Sequence, residues 1–361
     1  MIDFTSALYL GLHHPSVSLA GWDALTLGRP AALSEPPGSR LLAGELARLQ
    51  GCERATLLPS TWHLFWDLLQ WLRRQAPSIA LLDAGSYPIL HWAAAGLRAA
   101  GCPVAHFAHH DAAALADSVR RGVRAGRRPI VLADGYCPAC NRPLPLAAYA
   151  RICAAGDGLL VIDDTQALGV LGAAPERACP YGRGGGGSLR WHGLSSGAGI
   201  AVGASLAKGF GAPLAVLAGS RELVERFERG ITTRLHCSPP SAAAIRAARA
   251  ALRISHACGD MLRSQLLRMA GALRRTLAER GLAASGSLPF PVQSFALGRA
   301  TGVDRLYRRL LDAGIRALLT RGCRAAGCAA QLTFLLTAQH RPRDIARVGA
   351  ALAAALPLRE H

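Results

Sequence analysis

Lysine is almost absent from this sequence of 361 residues: Lys208 is the only one, and the other 40 of the 41 basic side chains are arginine. Arginine stays protonated and cannot act as an amine nucleophile, whereas lysine can once its pKa falls. The scarcity therefore excludes side-chain amine chemistry everywhere except at Lys208, which lies among small residues. The alternative is a lone surface lysine in an arginine-biased chain.

Long apolar runs are also missing, although apolar residues make up 51% of the chain. No run is long and uncharged enough to span a bilayer. The first residues, Met1 to Phe4, lack the basic and apolar regions of a signal peptide. We therefore expect a cytoplasmic protein without a membrane partner.

Acidic residues are few: 23 stand against 41 basic ones, which gives a formal net charge of +18. The arginines are spread along predicted helices, as in Arg73-Arg74 and Arg120-Arg121, and are not interleaved with aromatic residues. This pattern is typical of solvated helix faces, so we expect no nucleic-acid partner. The charge can still favour anionic partners such as phosphates, CoA or an acidic carrier protein.

The ten cysteines lack the spacing of a disulfide framework. Cys137 and Cys140 form a lone CxxC pair. We expect thiols in a reducing compartment and no metal site.

Strand and helix patterns alternate along most of the chain. Residues 158–163 are apolar on both faces, as expected for a buried parallel strand. The alternation predicts an α/β domain with a mostly parallel sheet over residues 41–255. An irregular arm precedes it over residues 1–40, and a small α+β domain follows over residues 256–361.

The pattern of the small domain predicts three strands and two helices. The strands fall at 291–297, 315–319 and 331–337, and the helices at 302–313 and 342–356. A longer helical region separates this domain from the sheet and is broken at Ser238-Pro239-Pro240.

Two phrases carry a family resemblance. One runs from Val161 to Gly172 and reads VIDDTQALGVLG, and the other runs from Ser205 to Gly211 and reads SLAKGFG. Together they resemble fold-type I enzymes that use pyridoxal 5'-phosphate (PLP), and most closely the α-oxoamine synthase family. That family has a strand ending Asp-(Asp/Glu)-Ala-His and, further on, Thr/Ser-x-x-Lys-x-Phe-Gly. Its members include aminolevulinate synthase, amino-oxononanoate synthase, aminoketobutyrate ligase and serine palmitoyltransferase.

Three more phrases extend the resemblance over nearly the whole chain. Ser6 to Leu12 resembles the family's Ser-Asn-Asp-Tyr-Leu-Gly-Leu arm, His109 to Asp111 its His-Asn-Asp, and Ala338 to His340 its Ala-Ala-His. The resemblance implies a fold-type I PLP-dependent transferase with a mostly parallel, seven-stranded-type sheet and a small C-terminal α+β domain. It also implies PLP as cofactor and a homodimer with a shared active site.

The resemblance assigns cofactor contacts to five residues. Lys208 would bind the aldehyde of PLP, and Asp163 would keep the ring nitrogen protonated so that the ring accepts electrons. Ser205 falls at the position of a phosphate ligand. Thr61 and Trp62 fall where the family's Ser-Gly-Phe turn holds the phosphate at a helix start.

Three further positions differ from the family or come from the partner subunit. Tyr87 falls where the family has a histidine stacked on the pyridine ring, and a tyrosine ring can stack too. Gln166 replaces a second histidine; it can donate a hydrogen bond to the phenolic oxygen of PLP but cannot relay a proton. His236 falls where the partner subunit reaches the phosphate. The candidate catalytic residues are therefore Tyr87, Gln166 and Lys208, with Lys208 as the general base at Cα.

Both of the family's carboxylate-binding positions have also changed. Its Arg-Leu-Arg phrase reads Gln331-Leu332-Thr333 here, and the asparagine of its arm is Ala7. A bidentate arginine is hard to replace. Together with the changes at Tyr87 and Gln166, these losses predict a substrate or a reaction that differs from those of the well-known members.

The sequence thus favours a PLP enzyme that condenses an amino acid with an acyl thioester, carried by CoA or by an acyl carrier protein, in a specialised biosynthetic pathway. Two alternatives stay open at this point. One is an aminotransferase, or a lyase or aldolase, that acts on an atypical amine. The other is a non-catalytic protein that keeps the PLP fold as a scaffold.

Overall fold

A computed structural model describes residues 1–197, 199–296, 300–322 and 330–355. The chain divides into two compact units. We call residues 13–136 and 143–257 the sheet unit, and residues 1–12, 137–142 and 258–361 the terminal unit.

The regular elements follow one another in the alternating order that the sequence predicts. The described strands are β1 (Ile2–Asp3), β2 (Arg54–Leu58), β3 (Ser78–Asp83), β4 (Val104–Phe107), β5 (Arg128–Asp134), β6 (Tyr136–Cys137), β7 (Arg142–Pro143), β8 (Leu159–Asp163), β9 (Ile200–Ser205), β10 (Ala215–Gly219), β11 (Val292–Ala296), β12 (Ile315–Arg316), β13 (Leu318–Arg321) and β14 (Ala330–Leu335).

The described helices are α1 (Ser39–Gln50), α2 (Thr61–Leu72), α3 (Pro88–Ala99), α4 (Ala112–Arg124), α5 (Leu146–Ala155), α6 (Ser188–Trp191), α7 (Arg221–Gly230), α8 (Thr233–His236), α9 (Ala242–Ala278), α10 (Ala300–Asp312) and α11 (Pro342–Ala355). Over the residues that the structure describes, none of these helices is long and apolar enough to cross a membrane.

A seven-stranded sheet organises the sheet unit, in the order β2-β10-β9-β8-β5-β3-β4. β10 runs antiparallel to both of its neighbours, and the other strand pairs are parallel. β8 is buried along its whole length, which matches an apolar strand covered on both faces. The predicted α/β class with a mostly parallel sheet is confirmed.

Helix α2 packs closely on the sheet next to β9. Ser60 caps the helix, because its hydroxyl accepts a hydrogen bond from the backbone N–H of His63. One turn later, Leu64 and Phe65 lie so near Gly203 of β9 that an added Cβ would stand 2.9 Å from each side chain. The absence of a side chain at Gly203 therefore lets the first turn of α2 lie beside the end of β9.

The terminal unit contains a small antiparallel sheet in the order β11-β14-β13 and a parallel pair of β1 with β12. Phe4, which follows β1, stacks on His340 with ring centroids 4.4 Å apart and meets Phe334 of β14 edge to face at 5.4 Å. The first residues of the chain therefore belong to the same core as β14.

One predicted strand is wrong. Residues 315–319 form two strands instead of one, because Ile315–Arg316 pairs with β1 whereas Leu318–Arg321 pairs with β14. The two strands belong to different sheets and are separated by Ala317. No sequence pattern reveals which partner a short strand will pair with. The last residues of the predicted strand 291–297 and helix 342–356 lie outside the described residues.

Gly172 gives a test of the loop that follows β8. A Cβ on this buried glycine would lie 1.9 Å from the carbonyl oxygen of Arg183 and 2.6 Å from the amide nitrogen of Gly185. Since these are backbone atoms, we expect Gly172→Ala to lower the free energy of unfolding by about 1–3 kcal/mol. Urea denaturation of the purified variant measures the change.

Gly44→Ala is the matched control for this loss. Gly44 lies inside α1, and a Cβ there would meet only the end of the Arg48 side chain, at 3.7 Å. Alanine in a helix interior is better than glycine by roughly 0.5–1 kcal/mol, so this variant should gain stability. Equal stability changes in the two variants would contradict the close packing at Gly172.

Candidate active site

The register of the sheet places the candidate residues at one edge. Asp134, at the end of β5, pairs with Asp163, at the end of β8, and Asp163 pairs with Gly203 of β9. Ser205 ends β9 and pairs with Ala215 of β10, which in turn pairs with Leu58 of β2. The carboxyl ends of the parallel strands and the start of α2 therefore meet on one side of the sheet, where ligands of open α/β sheets bind.

The two family phrases touch through their glycines. Gly169 lies within the phrase that contains Asp163 and has a left-handed φ of 88°. A Cβ on Gly209 would lie 2.5 Å from the carbonyl oxygen of Leu168, so the turn that carries Lys208 lies directly on that loop. This contact requires glycine, and it fixes Lys208 relative to the end of β8.

Lys208 is half-buried in the turn after β9, and its Nζ lies 5.4 Å from the centroid of the Tyr87 ring. This distance is within the range of a cation–π contact. Burial lowers the pKa of Lys208, and negative charge on Asp163 or Asp134 acts in the opposite direction. The only lysine of the chain is thus an amine that is easier to deprotonate than a solvent-exposed one.

Asp163 is a buried acid at the end of β8. Its Oδ1 accepts a hydrogen bond of 3.0 Å from the backbone N–H of Thr165. Burial raises the pKa of Asp163, while the bonds from Thr165 and the charge of Lys208 act to lower it. The hydroxyl of Thr165 in turn accepts a bond of 2.9 Å from the backbone N–H of Ser205, so Thr165 joins Asp163 to the turn that holds Lys208.

The start of α2 supplies the candidate phosphate residues. Thr61 is buried at the first helical position, and the next residue, Trp62, is 40% exposed. The hydroxyl of Ser60 is engaged by the cap and by a 2.9 Å hydrogen bond to Nδ1 of His63. The N-terminus of a helix favours an anion. At the end of β9, the Ser205 hydroxyl accepts a hydrogen bond of 3.2 Å from the backbone N–H of Ala207.

The remaining predicted residues differ in their surroundings. Gln166 is buried, directly after Thr165. His236 is exposed at the end of α8. The structure therefore groups Lys208, Tyr87 and Asp163, and leaves the role of His236 as a prediction.

Sequence reasoning missed two acids at this edge. Asp134 is buried, and its Oδ2 accepts a hydrogen bond of 2.9 Å from the backbone N–H of Tyr87. Asp83, at the end of β3, is buried 2.5 Å from Nδ1 of His109. A signal was present, since β3, β5 and β8 are all apolar strands that end in aspartate.

The pKa of Asp83 shows how this acid is stabilised. Burial pushes its pKa upward, but the interactions with His109 and the backbone N–H groups of Gly85 and His110 outweigh burial and leave the pKa below its usual value. Asp83 is therefore an ionised acid held by its own set of donors. His109 belongs to that set.

The carboxylate-binding positions of the family are neutral in the terminal unit. Gln331 and Thr333 are buried on β14. The Thr333 hydroxyl lies 2.7 Å from that of Ser294 and 2.6 Å from that of Thr320. Ala7 lies in the arm that precedes Tyr9. None of the side chains of Gln331, Thr333 and Ala7 can carry a positive charge.

The chemistry of the donor set fits PLP. The cofactor needs an amine for its aldehyde, an acid for its ring nitrogen, an aromatic or apolar surface for its ring and an anion site for its phosphate. Lys208, Asp163, the Tyr87 ring and the start of α2 provide these groups at one edge of one sheet.

Proteins of known type are similar to this chain over nearly its whole length. The chain is 30% identical over 367 residues to 8-amino-7-oxononanoate synthase of Thioalkalivibrio sulfidiphilus, covering 98% of this chain and 87% of that protein. It is 27% identical over 371 residues to the synthase of the same name from Methylococcus capsulatus, covering 99% and 89%. A scan against protein-family models finds no match.

Solved structures support the fold. Serine palmitoyltransferase from S. paucimobilis, in a variant with PLP and myriocin bound, aligns with a TM-score of 0.82 at 15% identity, covering 98% of this chain and 87% of that one. The 8-amino-7-oxononanoate synthase from Francisella tularensis aligns with a TM-score of 0.75 at 17% identity, covering 98% and 97%.

The single lysine permits a direct measurement of its pKa. Reductive methylation with ¹³C-formaldehyde labels only Lys208 and the N-terminal amine, and an NMR titration of the apoprotein follows both. We expect the Lys208 pKa to lie below its ordinary value of 10.5 because the amine is buried. Asp163→Asn should lower it further, because the variant removes an opposing negative charge.

The exposed carboxylate of Asp117 on α4 provides the control. Asp117→Asn should leave the Lys208 resonance where it is in the wild-type protein, and Lys208→Arg should remove the resonance and so assign it. A Lys208 pKa that rises in Asp163→Asn would contradict the proximity of the two groups.

Proposed function

From the membership of this chain in the α-oxoamine synthase family of PLP-dependent enzymes, we propose that it joins an amino acid to an acyl thioester by forming a carbon–carbon bond. The observation that carries the proposal is the grouping of Lys208, Asp163 and Tyr87 at the carboxyl edge of the sheet. An enzyme of this class needs one amine and one buried acid at that position, and the chain has one lysine in total.

Each element of the site has a part in holding PLP. Lys208 would bind the aldehyde, Asp163 the ring nitrogen, and Tyr87 the face of the ring. The hydroxyl of Ser205 and the first turn of α2, with Thr61 and Trp62, would hold the phosphate. Bound PLP would supply an electron sink that stabilises negative charge at Cα of an amino acid.

Lys208 is the base of the proposed reaction. Burial lowers its pKa, so a larger fraction of the amine is neutral near pH 7 than at an exposed site. Nζ can then take the proton from Cα of the amino acid and return it to the product. Burial raises the pKa of Asp163, and a cation next to it acts to lower that pKa, because opposite charges favour the charged form of an acid.

Gln166 and Tyr87 shape the site without an imidazole. Gln166 can donate an amide N–H to the phenolic oxygen of PLP and so orient the ring, and its amide neither gives nor takes a proton. The backbone of Tyr87 is held at the site, since its N–H donates to Asp134. These two side chains position the cofactor, and proton transfer at Cα is left to Lys208.

The substrate follows from the neutral positions on β14. A carboxylate gains most from a bidentate arginine, and Gln331 and Thr333 offer only neutral groups. We therefore propose an amino substrate that differs from those of the well-known family members, within a specialised biosynthetic pathway.

A homodimer is also part of the proposal, supported by an exposed aromatic surface beside the site. Four aromatic side chains are exposed there: Trp62 (40%) and Trp66 (36%) on α2, Tyr87 (46%) at the cap of α3, and Trp92 (60%) on α3. The rings of Trp62 and Trp66 lie 5.5 Å apart. Exposed apolar surfaces mark interaction sites, and Trp62 and Tyr87 are also among the residues that would hold PLP. A partner subunit on this surface would bring His236 to the shared site.

We place the protein in a reducing compartment such as the cytoplasm. The eight cysteines among the described residues are free thiols, which is the usual state in that environment.

Release of the thiol from an acyl thioester tests the reaction. The PLP-loaded protein is given acyl-CoA or acyl carrier protein thioesters with single amino acids, and free thiol is measured. We expect thiol release only when both substrates are present. Lys208→Ala should lose about 10²–10⁴-fold in rate, because the base at Cα is gone.

Asp117→Asn, at an exposed site on α4, is the control and should keep the wild-type rate. Turnover with a keto acid and no thioester would replace the proposal with an aminotransferase. A physiological effect of the protein that survives Lys208→Ala would favour the non-catalytic scaffold.

The dimer is tested by mass and by a change at its proposed surface. Light scattering should give twice the chain mass of 37.8 kDa. Trp92→Glu should weaken association by about tenfold or more, because a charge replaces a large apolar contact. Val17→Glu, at a residue that is 94% exposed outside this surface, should leave the mass unchanged. A wild-type monomer at micromolar concentration would contradict the proposal.

A further inference from the structure

Three buried aspartates end neighbouring strands at the carboxyl edge, and they differ in how many donors each has. Asp83 accepts hydrogen bonds from the backbone N–H groups of Gly85 and His110 and faces His109. Asp163 accepts a bond from Thr165 and lies in the field of Lys208. Both have partners that stabilise a negative charge.

Asp134 lies between them with far less support. Its Oδ2 accepts one hydrogen bond, 2.9 Å long, from the backbone N–H of Tyr87. Its Oδ1 is buried and has no hydrogen-bond partner among the described residues. An isolated ionised carboxylate in such surroundings is costly, and the usual outcome is that the group takes up a proton instead.

The neighbours of Asp134 strengthen this outcome. Burial raises its pKa most, the adjacent Asp163 raises it further, and Asp83 adds a smaller effect of the same sign. The N–H of Tyr87 and the charge of His109 act in the opposite direction. Lys208 also lies close enough to interact with the charge of Asp134. The same lysine interacts with Asp163, which pairs with Asp134 in the sheet.

We propose that Asp134 is a neutral, proton-bearing member of the cofactor site, whose Oδ1–H donates a hydrogen bond to an acceptor oxygen of bound PLP while its Oδ2 holds the Tyr87 backbone. The carbonyl oxygen of a neutral carboxyl accepts the Tyr87 N–H, and the hydroxyl oxygen is left as a donor without an acceptor among the described residues. This inference rests on the proposed function in naming PLP as the acceptor.

A neutral Asp134 also fixes the charge of the site. With Asp163 ionised and Asp134 protonated, one negative charge faces Lys208 instead of two. A second charge would raise the Lys208 pKa and leave less of the neutral amine that the proposed reaction uses. Asp134 is thus a positioning residue for Tyr87 and a donor to the cofactor that adds no charge.

The proton on Asp134 has a signature in the apoprotein, without PLP. In the unfolded chain this carboxyl ionises near its ordinary pKa of 3.8, whereas the folded protein keeps the proton. The folded state then binds one more proton, so its stability falls as the pH rises toward the folded-state pKa. Asp134→Asn carries no proton in either state and escapes this loss.

The first experiment measures thermal unfolding of the apoprotein from pH 4.5 to 8. We expect the difference in Tm between Asp134→Asn and the wild-type protein to grow in favour of the variant by roughly 2–4 °C over this range. Asp117→Asn, at an exposed carboxylate, should show a difference that does not grow. A constant difference for Asp134→Asn would overturn the proposal, because Asp134 would then ionise like an ordinary acid.

The second experiment measures PLP affinity by equilibrium dialysis at pH 7.5. Asparagine keeps one acceptor and one donor without charge, so Asp134→Asn should bind PLP within about threefold of the wild-type protein. Leucine keeps neither, so Asp134→Leu should bind about tenfold more weakly or worse. Asp163→Asn serves as the reference for loss of a charged contact and should bind poorly.

Three outcomes overturn the proposal or separate it from the proposed function. Binding by Asp134→Leu at the wild-type level would show that Asp134 gives PLP no hydrogen bond. Binding by Asp134→Asn as poor as that of Asp163→Asn would show that Asp134 is charged. A wild-type protein that binds no PLP would overturn the proposed function and the named acceptor together, while the pH series would still decide whether Asp134 carries a proton.

Discussion

The balance of buried charge at the carboxyl edge of the sheet governs the rest of the site. Asp83, Asp134 and Asp163 end neighbouring strands in a place shielded from water. Each unpaired ion in such a place costs several kcal/mol. His109 and backbone donors stabilise Asp83, whereas Thr165 and Lys208 stabilise Asp163. Asp134, the third acid, accepts one backbone hydrogen bond, from Tyr87.

The backbone makes that balance possible by bringing two distant phrases into contact. Lys208 could not lie beside Asp163 if residue 169 or 209 carried a side chain, because Gly169 has a left-handed φ of 88° and Gly209 rests on the Leu168 carbonyl. The glycines of the two phrases are therefore a packing requirement of the site. This explains in physical terms why a lysine and an acid from separate phrases can be predicted together.

The sequence allowed a good prediction of the α/β layer and of the residues that stand out by chemical type. Lys208 is unique, and Asp163 ends an apolar strand inside a recognisable phrase. Asp134 was missed because its importance depends on strand order: only the pairing of β5 with β8 puts it next to Asp163. The division of residues 315–319 into two strands was missed for the same reason, since it depends on β1, more than 300 residues earlier in the chain.

The loss of arginine from β14 is also more than a missing charge. The hydroxyls of Thr333, Ser294 and Thr320 bond to one another, so each already has a partner inside the terminal unit. The three hydroxyls carry three O–H donors and the two bonds between them use two, so at most one neutral donor is left for a carboxylate, and a neutral donor binds a carboxylate more weakly than a charged one. An arginine, in contrast, carries donors in excess of what its neighbours need. These positions therefore offer a neutral hydroxyl donor instead of a charged, bidentate one, which favours a substrate recognised by other means.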